Sequence, residues 1–287
     1  MDRYMGAGSP QDLRGFSIIF GLVQVVGIAC VALVAVWTSH FLGGFAGPHK
    51  PNLEFNFHPL FMVLALVICY GNATLIYRVL RYERLSRLKC LHGALQGLAL
   101  VFSVVAVKTA FDSHNLAPTP IPNLYSLHSW LGLGTVVLFV LQFAVGFFIF
   151  LFPGMGQLVE ENFRPFHVFF GLSTFVMAVA TALIGITEKL IFKLKPAGYS
   201  ARPEEAYLAN SLGVLLVVFA ALVVYLTTRP AYRRQPLLEE ASLPLGPPAQ
   251  LQAPAQFVPQ TLYPLVPQTF GPQTFGPQTF GPQSFGP

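Results

Sequence analysis

Charge is scarce in this chain. Only 10% of its 287 residues are Asp, Glu, Lys or Arg, against about 25% in a soluble globular domain. That deficit argues against a water-soluble fold. Cysteine is scarce as well. The three residues, Cys30, Cys69 and Cys90, make neither a CxxC pair nor a zinc spacing, which argues against a disulfide framework. Cys30 and Cys69 lie inside apolar runs, where a thiol acts as a small hydrophobe. No basic face is present either. The Lys and Arg residues behind the +5 net charge lie between apolar runs, so they read as membrane topology and no nucleic-acid partner is expected. The N-terminal region lacks a short apolar core followed by a small-residue cleavage site. Its first apolar run is long enough to span, so it is read as a transmembrane helix and not as a cleaved signal peptide.

What is present is length of apolar chain. The composition is 54% hydrophobic, and a span needs about 20 mostly apolar residues. Six stretches qualify: Phe16 to Trp37, Phe57 to Tyr77, Leu91 to Phe111, Tyr125 to Phe152, Phe166 to Thr187, and Ala206 to Thr227. They are too long for membrane strands, which need about ten alternating residues. The expected fold is all-α: a polytopic membrane protein of six helices. The stretch from Arg78 through Arg81, Arg84 and Arg87 to Lys89 is the most basic connection, which assigns it and both termini to the cytosol. Arg229, Arg233 and Arg234 agree. The connection with Lys189, Lys193, Lys195 and Arg202 is then non-cytosolic, its charge partly offset by Glu188, Glu204 and Glu205.

This reading divides the chain into a cytosolic N-terminus (1–15), a six-helix domain (16–228) and a cytosolic tail (229–287). The tail ends in Pro-Gln-Thr-Phe-Gly repeats from Pro267. It has no apolar periodicity and is expected to be disordered. Gln235-Pro236-Leu237-Leu238 resembles a dileucine sorting signal.

Four histidines stand out: His58, His92, His128 and His167, each near the start of an apolar run. Ionisable groups in spans are rare and usually functional. In the expected topology His58 and His128 share the outer depth, and His92 and His167 the inner depth. A tetrahedral metal site would need all four at one level. Two pairs suit two planar cofactors, each gripped from both sides by imidazole, as in six-coordinate haem that passes electrons. Ligands near opposite faces leave on the order of 10–20 Å between the two macrocycles. Small residues suitable for close helix approach follow the ligands: Gly93, Gly97, Gly132, Gly134 and Gly171. Pro59 and Pro165 are placed in first helical turns, where proline is tolerated. His40 and His49 read as solvated loop residues.

Longer motifs carry a resemblance. Ala73-Thr74-Leu75-Ile76-Tyr77-Arg78-Val79-Leu80-Arg81, Ser126-Leu127-His128-Ser129-Trp130, Asn56-Phe57-His58-Pro59, Arg164-Pro165-Phe166-His167 and Thr187-Glu188-Lys189 resemble the cytochrome b561 family, the transmembrane ascorbate-dependent di-haem reductases. The resemblance implies two haem b groups, the outer on His58 and His128 and the inner on His92 and His167. It implies a cytosolic ascorbate site, with Arg78, Arg81, Lys89 and Arg164 as candidate residues. Leu85 stands where the family often has a lysine. On the outer face it implies an acceptor site at His114, Asn123 and Tyr125, with monodehydroascorbate or ferric iron as acceptor. Membrane lipid surrounds such a protein, and a homodimer is compatible with it. The resemblance admits secretory-vesicle, endolysosomal and plasma membranes.

Two other classes stay open on the residues alone. One is a transporter or proton channel with intramembrane histidine relays. The other is a non-catalytic scaffold acting through the Phe-containing tail. A chain ending after Arg234 separates the last from the reductase: electron transfer measured by haem absorbance is expected to survive the truncation.

Overall fold

The structure is a computed structural model that describes residues 11–152, 156–237 and 240. The Pro-Gln-Thr-Phe-Gly repeats, and Leu238 of the dileucine-like stretch, lie outside the described residues. Among the described residues, six helices are long and apolar enough to cross a membrane. They are α1 (Phe16–Phe41), α2 (Pro51–Val79), α3 (Leu85–Asn115), α4 (Leu127–Leu151), α5 (Gln157–Ser200) and α6 (Glu204–Thr228). The all-α, polytopic expectation holds, and each expected span falls on one helix.

Most helices run past the apolar stretches that announce them. Apolar composition ends where the membrane would end, while the backbone goes on satisfying its own hydrogen bonds in polar sequence. Three placements change as a result. His40, expected in a loop, lies in the last turn of α1. His114, beyond the apolar stretch that ends at Phe111, lies in the last turn of α3. Pro165, expected in a first turn, lies inside α5, which already starts at Gln157 with Glu160 in its first turn. An acidic residue there suits the positive end of a helix. α5 breaks at Lys195 (φ 60°, ψ 161°), immediately before Pro196, consistent with the steric bar on helical geometry before proline. α2 and α4 each contain a π-helical stretch, Val63–Cys69 and Phe147–Leu151.

Packing follows periodicity. α6 buries Glu205, Ala209, Leu212, Leu216, Phe219, Val223 and Leu226, alternating steps of three and four that keep one face inward. α1 buries Val23, Cys30, Val34 and Trp37 against it. The opposite faces expose Ile18, Val25, Ile28 and Val214, as lipid-facing surfaces require. α2 pairs with α3, and α4 with α5, while α6 also touches α2 and α5. α3 and α4 differ from α6. α3 buries mainly small or polar side chains, among them Ala99, Ser103, Ala106 and Thr109, and the α-helical part of α4 buries only Thr135 and Phe139. In the centre of the bundle Tyr70 lies 5.6 Å from Phe139 and 5.8 Å from Phe175, centre to centre. Its hydroxyl donates to Gly171 O at 2.8 Å.

One polar clamp closes the end where α6 begins. Glu205 accepts from Trp37 Nε1 at 2.9 Å and from Lys193 Nζ at 2.5 Å, and Lys193 also donates to Phe41 O at 2.5 Å. α1, α5 and α6 are thereby joined. Glu205→Ala leaves the Trp37 and Lys193 donors without this acceptor and is expected to cost about 2 kcal/mol. Glu205→Gln, which keeps an acceptor for Trp37, is expected to cost less. Melting midpoints in detergent check the order.

Candidate functional site

Local sequence sets where each histidine stands. The Ser126 hydroxyl accepts from Ser129 N at 3.3 Å, and the Ser129 hydroxyl accepts from Ser126 N at 3.2 Å. This reciprocal cap starts α4 and places His128 in its first turn. Asn56 Nδ2 donates to Leu42 O at 3.0 Å and Gly44 O at 2.6 Å, tying the turn before His58 to the loop after α1. α3 starts after an extended Arg84 that supplies no side-chain cap. The Glu240 carboxylate takes that place, accepting from Leu85 N at 2.9 Å. Burial alone would raise the Glu240 pKa. The Arg234 guanidinium and the Leu237 and Leu85 N–H groups outweigh it and hold the carboxyl below its usual range.

The four histidines meet as two pairs. His58 and His128 have ring centres 6.0 Å apart and planes at 88°. His92 and His167 are 6.2 Å apart at 72°. Nδ1 of His58 lies 3.0 Å from Ala106 O, that of His92 2.9 Å from Ala73 O, and that of His128 2.9 Å from Thr181 O. A carbonyl only accepts, so Nδ1 carries the proton in each bond and Nε2 is left free as a ligand. Among the described residues, His167 Nδ1 is buried without a hydrogen-bond partner. Two metal–nitrogen bonds of about 2.0 Å plus two half-rings span roughly 6 Å. The observed separations therefore fit one iron between each pair.

The space around the rings fits a planar group too. A cavity of about 460 Å³ has His58 and His128 in its wall, with Met62, Leu66, Ala178 and Gly185 beside them. A Cβ on Gly185 would lie 2.5 Å from His128 Cε1, and one on Gly146 2.8 Å from His167 Cε1. These glycines sit on the helix opposite each ring. Among the glycines that follow the ligands in sequence, Gly134 has open space around it.

His114, Asn123 and Tyr125 all line the same cavity. Asn123 Nδ2 donates to Asn115 Oδ1 at 2.8 Å, and Ile121 N to His114 O at 3.1 Å. Between Asn123 and Tyr125, Leu124 adopts a left-handed conformation (φ 54°). A non-glycine residue there is uncommon and marks a constrained turn. Lys189, not singled out as a site residue from sequence, also lines the cavity, its ammonium 4.2 Å above the Phe55 ring.

At the other pair the expected cations separate. Lys89 lies 2.6 Å from Glu160, and Arg164 is exposed. Arg78 donates to Arg229 O at 3.0 Å and to Thr227 O, at the C-terminal end of α6. Arg81 is buried, its guanidinium 4.3 Å above the Phe16 ring. Tyr77 stands 5.7 Å from His92 and Phe150 stands 5.2 Å from His167. Arg164, Arg234 and Glu160 are all within electrostatic reach of Tyr77. Arg234 and Glu240 escaped the sequence reading, because nothing local ties a residue after α6 to the start of α3.

The chain is similar to known proteins over most of its length. A profile of the eukaryotic cytochrome b561 family matches residues 57–193, a stretch that holds all four histidines. A pig protein, Transmembrane ascorbate-dependent reductase CYB561, is 44% identical over 77% of this chain and 85% of its own length. The chain belongs to the cytochrome b561 family. The human protein of the same name is 42% identical over 77% of this chain and 86% of its own. A rat Plasma membrane ascorbate-dependent reductase CYBRD1 is 38% identical over 82% and 81%. The b561 profile ends at residue 193, so Arg234 and Glu240 lie beyond it.

Gly185→Val is expected to push His128 off its place and to lower bound haem by about half, measured by pyridine haemochrome. Gly134→Val, made where nothing lies within 4 Å, is expected to leave haem content unchanged.

Proposed function

We propose that this b561-family chain is a transmembrane ascorbate-dependent reductase. It takes single electrons from cytosolic ascorbate, moves them through two b-type haems, and delivers them to monodehydroascorbate or ferric iron on the far side. The pairing of the histidines, at ring-centre separations of 6.0 and 6.2 Å, carries this reading. The printed names of the relatives, ascorbate-dependent reductases, support the donor.

His58 and His128 would hold the non-cytosolic haem, and His92 and His167 the cytosolic one. Bis-imidazole haem iron supplies reversible one-electron transfer with no open coordination position. The protein's own groups do the placing. Backbone carbonyls of Ala106, Ala73 and Thr181 orient three of the rings. At the cytosolic edge Lys89 and Arg164 are the residues that meet the anionic donor, and Arg offers its oxygens a planar fork. Arg78, bonded to the last carbonyls of α6, and Arg81 are the further candidates for that edge. At the far mouth His114, Asn123 and Tyr125 orient the acceptor, and His114 can relay a proton. Residues 16–228 form the membrane domain, ringed by lipid, with 1–15 and 229–287 in the cytosol. Secretory-vesicle, endolysosomal or plasma membrane would each accommodate it.

Purified protein is expected to show a Soret band and to be reduced by ascorbate. A transporter without haem would be colourless. In vesicles loaded with ascorbate, external ferric chelate and monodehydroascorbate are compared as sinks, and the faster one identifies the acceptor. His92→Ala and His128→Ala are each expected to remove one haem and leave the other reducible by dithionite. Normal ascorbate reduction by the His92→Ala variant would sink the inner assignment.

A further inference from the structure

The lysine assigned to the donor is already held. Lys89 Nζ lies 2.6 Å from Glu160 Oε2, with the two side chains 19% and 23% exposed. Lys89 stands just before His92 on α3. Glu160 stands in the first turn of α5, the helix that carries His167. The bond therefore joins the two helices that supply the second histidine pair, at the edge where an anion would enter. The exposure matters in two ways. It is low enough for the pair to be stronger than a freely solvated one, and high enough for a small solute to reach it. Arg164, about one turn further along α5, is exposed and has no hydrogen-bond or ion-pair partner among the described residues.

We propose that Glu160 is a built-in competitor for the donor. Its carboxylate occupies Lys89 while the site is empty, and an incoming enolate oxygen of ascorbate displaces it. The inference rests on the reading of ascorbate as donor. Glu160 is then a residue that sets donor affinity by acting through Lys89. It keeps the lysine neutralised and correctly placed between turnovers, and it lowers affinity for any anion that reaches this edge. A site whose cations were all unpaired would bind its anions more tightly and release them more slowly.

The test is Glu160→Gln, which keeps side-chain size and removes the charge. Ascorbate is titrated calorimetrically into protein already reduced by dithionite, so that binding is read without electron transfer. Affinity is expected to rise about fivefold, with KM for ascorbate falling to match and haem content unchanged. In a Lys89→Gln background the same substitution is expected to have no effect. Unchanged or weaker binding by the Glu160→Gln variant overturns the competition, as does a gain that persists without Lys89. If neither form binds ascorbate although dithionite reduces both, the donor assignment itself fails.

Discussion

Hydrogen bonds from imidazole to helix carbonyl fix the rest of this structure. A carbonyl in a helix already accepts from its own helix, and its second lone pair is available. His58 uses that lone pair on Ala106, His92 uses the one on Ala73, and His128 the one on Thr181. Each bond crosses to a neighbouring helix and turns the other ring nitrogen inward. The surroundings then follow. Helices that carry these carbonyls need faces slim enough to leave room, which the buried alanine, serine and threonine residues of α3 supply. Gly185 and Gly146 leave space where the rings of His128 and His167 come closest to the facing helix.

A chain with few charges uses them at helix ends. Arg78 meets the last carbonyls of α6, where the helix carries partial negative charge. Glu205 sits in the first turn of the same helix, where that charge is reversed. Glu240 supplies the acceptor that Arg84 does not supply at the start of α3. These contacts join segments distant in sequence, and they lie at the two ends of the bundle, where solvent lowers the cost of a polar group.

The fold was legible in the sequence because apolar length is a local property, and so were the histidines, since a His in a span is conspicuous wherever it falls. Their pairing required only the alternation of helix direction. Partners of charged groups were not legible. Nothing near Lys89 announces Glu160, and nothing near Leu85 announces Glu240, because both contacts depend on how helices lean together. Gly185 was missed for the same reason: it serves a ring on α4 while sitting on α5. Pro165 misled by its type. Proline marks a first turn often enough that the sequence does not announce a helix reaching back through Glu160, Glu161 and Asn162 to Gln157.

α2 and α3 run in opposite directions and are stitched twice, by His58 to Ala106 and by His92 to Ala73. Sliding one helix along the other shifts both bonds together, and neither can be kept by adjusting one ring. The pair behaves as a riveted plate. Alternating access depends on helix groups rocking past one another, and these two helices belong to one group: whatever moves one carries the other with it.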